Sequence, residues 1–133
     1  MPSGKAVTVE IPSGELIDRI TILEIKAQRV TDPEKLNNVE KELRTLTNTR
    51  DCFIQPSAEL AELTSQLKAV NEALWEIEDG IRDCERAKDF GPRFVELARS
   101  VYRNNDRRAE LKRKISILLG SNLIEEKSYK PYE

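Results

Sequence analysis

Residues 60–84 read LAELTSQLKAVNEALWEIEDGIRDC, and the order of their apolar positions decides the fold. Leu60, Leu63, Leu67, Val70, Leu74, Ile77, Ile81 and Cys84 follow one another in alternating steps of three and four. Each pair of steps spans about two turns of α-helix, so all of these side chains share one stripe, the seam of a coiled coil. Ser57 ahead of the stripe is a helix cap whose hydroxyl can accept from free N–H groups of the first turn. The helix is predicted over 57–88. It stops at Lys88-Asp89-Phe90-Gly91-Pro92, where the proline pushes Gly91 out of the α region and makes it the cap of the next helix. Phe90 is placed to staple to Val95. That next helix spans 92–119, with Gly120 suited to a left-handed C-terminal cap. At 1.5 Å per residue the two helices would each reach about 45 Å, and the short turn between them makes an antiparallel hairpin.

Upstream, a second and shorter hairpin is expected. A helix over 13–30 opens at Pro12-Ser13-Gly14-Glu15, with Ser13 as its cap and Glu15 against the positive end of the dipole. Its apolar residues Leu16, Ile17, Ile20, Ile22, Leu23, Ile25 and Val30 exceed one narrow stripe, which predicts packing on two sides. Asp32-Pro33 starts another helix over 33–48, Asp32 capping and Pro33 at the first helical position, with Leu36, Val39, Leu43 and Leu46 at heptad spacing. Residues 6–11 alternate, Val7, Val9 and Ile11 on one side and Thr8 and Glu10 on the other, the pattern of a short strand. The expected fold is all-α: one domain over residues 1–133 containing two antiparallel hairpins, the second long and coiled-coil-like, preceded by a short N-terminal β-strand.

Composition agrees with helices and narrows the chemistry. Of 133 residues, 35% are charged and 5% aromatic, a balance suited to solvated helices rather than a sandwich or barrel. Histidine is absent, which removes the commonest general base and metal ligand. Cys52 and Cys84 stand apart with no CxxC, so the reading is two reduced core thiols, with no metal and no cofactor. Neither a signal peptide nor a membrane-length apolar run occurs, which places the chain in the cytoplasm. Net charge is −2 with signs interspersed, so no nucleic-acid or membrane partner is expected. The basic run Arg107-Arg108 to Lys112-Arg113-Lys114 does not alter this. Residues 57–89 carry nine acids and four bases, residues 92–119 eight bases and three acids, and the two helices neutralise each other.

The last helix breaks its own pattern. Its seam runs Phe94, Leu97, Val101, then Asn104 and Arg108, then Leu111, Ile115 and Leu118, so two consecutive seam positions are polar. In a hairpin turning near residue 90, opposed positions add up to about 180. Arg108 then faces Glu72 and Asn104 faces Glu76, while Trp75 lies close to Tyr102 and Asn105, and Asn71, Glu78 and Arg82 flank them. Such a cluster reads as a structural ionic layer fixing register, as a site for a small anionic or polar ligand or a protein partner, or as mere surface placement. The candidate site residues are Glu72, Trp75, Glu78, Tyr102, Asn105 and Arg108. No catalytic residue is assigned. Asp18 and Arg29 share a row with Ile22 and Ile25 and are read as solvated, the alternative being membership of a neighbouring polar network.

Three segments carry a resemblance: SGELIDRITILEIK at 13–26, VNEALWEIED at 70–79, and the stretch from Asp89-Phe90-Gly91-Pro92 to Lys112-Arg113. Together they resemble a bacterial family of short helical proteins classed as a domain of unknown function. That resemblance covers the chain apart from roughly residues 35 to 65 and implies no activity. The first helix is also similar to the opening helix of the all-α chorismate mutases. This likeness implies arginines, here Arg19 or Arg29, presented to a dicarboxylate in a dimer, although later positions do not reproduce that family's remaining contacts. The expected function is an oligomeric helical module, a homodimer, that binds a partner or a small polar ligand. The alternative is a small all-α enzyme acting on a dicarboxylate.

Overall fold

The computed structural model describes residues 4–133. Four helices follow in order: α1 (Ser13–Arg29), α2 (Pro33–Phe53), α3 (Ala58–Ala87) and α4 (Pro92–Leu118). The caps explain where most of them begin. Asp32 accepts from the N–H of Lys35 at 3.2 Å, Pro33 stands at the start of α2, and Ser57 accepts from the N–H of Leu60 at 3.1 Å. Gly91 caps α4 as expected, but Phe90 packs edge-on to Phe94, ring centroids 5.3 Å apart, instead of stapling to Val95, which is exposed. Gly120 adopts the left-handed conformation, φ +65°. At the end of α3 the same conformation falls on Lys88, φ 56°, with the N–H of Asp89 returning to the carbonyl of Cys84 at 2.9 Å.

Helix α2 continues to Phe53, five residues past the end read from sequence. Thr45, Thr47 and Thr49 return their hydroxyl protons to the carbonyls of Lys41, Leu43 and Thr45, so these weak helix formers stay within the helix. Ile54 at its C-cap packs on the core and gives the extension a hydrophobic anchor. Residues 6–11 form no strand, and no strand occurs among the described residues. Val7 and Val9 project into solvent. An isolated extended segment gains no ladder hydrogen bonds, and the Leu123–Tyr129 tail does not pair with it.

The core gathers Ile17, Leu60, Leu67, Leu111 and Ile115, with Ile54, Leu63, Val70 and Leu119 against it. It therefore draws on the first half of α1, the first half of α3 and the last half of α4. Helix α1 touches all three other helices, α2 touches α1 alone, and α3 pairs most extensively with α4. This explains why α1 buries eight of its residues while α2 buries none completely. Arg93 donates to Cys84 Sγ at 3.4 Å and Arg107 to Gln66 at 2.9 Å, so contacts between α3 and α4 run in opposite order along the two helices. Cys84 is buried as expected, whereas Cys52 lies on the exposed side of α2.

Beyond Glu76 the character of the molecule changes. Among the described residues, no hydrogen bond, ion pair or ring contact joins α1 or α2 to α3 past that position. The last eleven residues of α3, about 16 Å at 1.5 Å per residue, form with the start of α4 a two-helix arm. Of its seam residues, Ile77, Ile81, Phe94, Leu97 and Val101 are only half-buried, while Cys84 is buried.

Candidate functional site

The polar break in α4 faces α1. Arg108 donates through Nε to Asp18 Oδ1 at 3.0 Å and through Nη2 to Oδ2 at 2.5 Å, a two-pronged pairing that fits the planar guanidinium. Asp18 is fully buried. Asn71 on α3 donates from Nδ2 to Asp18 Oδ1 and to Thr21 Oγ1, both at 2.9 Å, and Thr21 passes its own proton to the Asp18 carbonyl at 2.7 Å. Three helices thus meet on one carboxylate. Bonding to Asp18 raises the pKa of Arg108 above its ordinary value, against the opposing effect of burial.

One turn along α4, Lys112 Nζ lies 2.6 Å from Glu15 and 3.1 Å from Glu125 of the C-terminal tail. Glu15 also accepts from Arg19 at 3.0 Å. Burial opposes ionisation of Glu15, but the bonds from Lys112 and Arg19 outweigh it and hold the carboxyl below its ordinary range. Burial likewise lowers the pKa of Lys112, and the two carboxylates more than reverse that. A further turn on, Ser116 Oγ accepts from the N–H of Gly14 at 2.9 Å, and Ser121 Oγ accepts from the N–H of Ser13 at 3.1 Å. The row Arg108, Lys112, Ser116 is therefore a polar ladder on which the start of α1 stands. No side chain of α1 caps its own N-terminus: Pro12 is the cap residue, and Ser13 does not act as the cap its sequence position predicts. Gly14 is required by the close approach, since a Cβ there would overlap the Lys112 carbonyl.

The six candidate residues do not form one cluster. Arg108 binds Asp18, not Glu72, which is exposed. The expected facing failed because α1 lies in the groove between α3 and α4 and takes the side of α4 that a free hairpin would turn toward α3. Trp75 is half-buried beneath the guanidinium of Arg29, 5.6 Å from the ring centre, and Arg29 is paired with Glu76. Glu78 pairs with Arg82 at 3.5 Å in solvent. Trp75, Glu78 and Arg108 share an open hollow of about 420 Å³ floored by Ile22, Ile25 and Leu74. Asn105 shares a different hollow with Arg108, and Tyr102 packs edge-on to Tyr132 of the tail, centroids 4.9 Å apart. The arginines compared with a dicarboxylate site are engaged elsewhere, Arg19 by Glu15 and Arg29 by Glu76.

Sequence reasoning missed Asp18, reading it as solvated. The signal that finds it is its own row on α1: Gly14, Thr21 and Ile25, at i−4, i+3 and i+7, are all buried, so an acid there has no exposed side. The small neighbours Gly14 and Thr21, one turn to either side, mark where α4 and α3 approach. No buried side-chain nitrogen or oxygen among the described residues lacks a hydrogen-bond partner. Nor does any group of His, Cys, Asp and Glu there have the makings of a metal site. No helix among the described residues is long and apolar enough to cross a membrane.

Fold and layer together define a class, an all-helical protein whose central helix is clamped onto a long helix pair by a buried Asp–Arg contact. Within that class the chain belongs to a family of unknown function (DUF6165), which matches residues 7–132. This agrees with the resemblance carried by its three segments. No curated protein and no solved structure matches it.

Proposed function

We propose that this protein is a non-enzymatic, self-associating helical module: two antiparallel hairpins in which the ion-pair layer fixes the body and the α3–α4 arm docks onto a second copy. The observation that carries the reading is the arm's seam, whose apolar residues Ile77, Ile81, Phe94, Leu97 and Val101 stay only half-buried in the single chain. Two helices alone leave a coiled-coil seam open on both flanks, and a partner closes it. Phe90 and Val95 at the tip, each 52% exposed, extend the apolar surface.

Charge favours a second copy as the partner. Within the arm, residues 77–89 of α3 and its turn carry five acids to three bases and residues 92–101 of α4 two bases to one acid, a small complementarity that an isologous contact uses by setting each α3 beside the other chain's α4. The ladder's part in self-association is structural: Asp18 and Glu15 hold Arg108 and Lys112 from the α1 side and fix α1 to α4.

Hydrogen exchange tests the arm directly. Residues 77–101 are expected to gain amide protection as chain concentration rises, because an arm closed on one side only opens readily. Protection of that segment that is the same at all concentrations contradicts the proposal.

A further inference from the structure

The tail after α4 does not leave the molecule. It turns at Gly120 and runs back along α4, with Glu125 on Lys112, Glu126 on Arg113, Lys127 on Asp106 at 2.7 Å and Tyr132 against Tyr102. It has no regular secondary structure, and nearly all its residues are exposed. Between tail and helix lies an open hollow of about 500 Å³, lined by Asn105, Arg108 and Lys112 from α4 and by Glu125, Lys127 and Ser128 from the tail.

The two sides of this hollow are held very differently. Arg108 and Lys112 are fixed from behind: Asp18 holds one guanidinium edge, and Glu15 holds the ammonium, whose side chain is only 12% exposed. Among the described residues, no hydrogen bond uses Arg108 Nη1 or the Asn105 amide. Neither is therefore fully buried, and Arg108 borders this hollow as well as the one beside Trp75. Glu125, by contrast, is 58% exposed on an irregular strap, and a pair of that kind contributes little. Its carboxylate occupies a prepared cation, and nothing but the strap's own tethering keeps it there.

We infer that this hollow is a binding site for a small carboxylate, and that Glu125 is a built-in competitor which the ligand displaces. The ligand's carboxylate takes the place of Glu125 on Lys112, and the free edge of Arg108 and the amide of Asn105 donate to the rest of it. Two preorganised donors on rigid helix, with an amide beside them, suit a planar carboxylate better than a diffuse anion. The site does not depend on self-association, because none of its residues lies on the arm.

Succinate at fixed ionic strength is the probe, with the amide resonances of Asn105, Ala109 and Ser128 followed by NMR. Saturable shifts are expected at concentrations up to about 50 mM, as befits a weak site opposed by a tethered competitor. Glu125→Gln should lower the midpoint by about threefold or more, since it removes that competitor, and Asn105→Ala should raise it. Neither variant touches the buried layer, so both are expected to fold. Shifts that match those given by sodium chloride, an unchanged midpoint in Glu125→Gln, or inorganic phosphate binding as tightly as succinate would each overturn the assignment.

Discussion

Replacing Arg108 with alanine should expose the energetics of the buried layer. The substitution removes two charge-assisted bonds from Asp18, a carboxylate with no access to solvent, and leaves it the Asn71 amide alone. Removing one partner of a buried pair costs about 3–5 kcal/mol. The Arg108 side chain is 30% exposed, so its deletion opens a path by which water partly rehydrates Asp18. That places the expected loss at the lower end, about 3 kcal/mol. Asp18→Asn is milder, about 1–2 kcal/mol, because the stranded guanidinium can turn to solvent. The double variant carries no buried charge and should be more stable than Arg108→Ala alone, the opposite of additivity. Urea unfolding followed by far-ultraviolet circular dichroism measures all three. With a slope of about 1–3 kcal/mol per molar, a 3 kcal/mol loss moves the midpoint by about 1 M or more. A loss below about 1 kcal/mol for Arg108→Ala, or additive single effects, would refute a layer built on Asp18.

Other perturbations follow from the same geometry. Gly14→Ala should destabilise the protein by about 2 kcal/mol or more, since α1 must back away from the Lys112 carbonyl and loosen the bond to Ser116, a loss read by thermal melting. Lys88→Gly should add about 0.5–1 kcal/mol in the same measurement, because Lys88 holds a left-handed conformation that glycine adopts without strain. Glu15 has a folded-state pKa below its ordinary 4.5, so its contribution is complete above that value and is lost as pH falls through the lower, folded value. Lys112 has a folded-state pKa above its ordinary 10.5, so its contribution is complete below that value and is lost as pH rises through the higher one. Urea midpoints across pH should therefore hold a plateau between those limits and fall on both sides, and Glu15→Gln should flatten the acid limb.

Local signals proved the most legible in the sequence. Asp32 and Ser57 announce their helices because a cap acts within three residues, and the α3 stripe is a periodic pattern that needs no partner to be recognised. The interruption at Arg108 was equally visible. Its partner was not, because Asp18 lies 90 positions away on a helix that a two-helix register leaves out. The start of α1 shows the same limit, for its N–H groups are met by Ser116 and Ser121 at separations of 102 and 108 residues, whereas local chemistry pointed to Ser13. The strand read at 6–11 is not seen for the converse reason: alternation is a local property, but a strand forms only where an edge receives it.

Sedimentation velocity on the whole chain at low micromolar to about 100 µM tests the central proposal most directly. A reversible shift toward twice the 15.2 kDa chain mass, weakened by added salt, is the predicted result. A single species at 15.2 kDa across the whole range would contradict it.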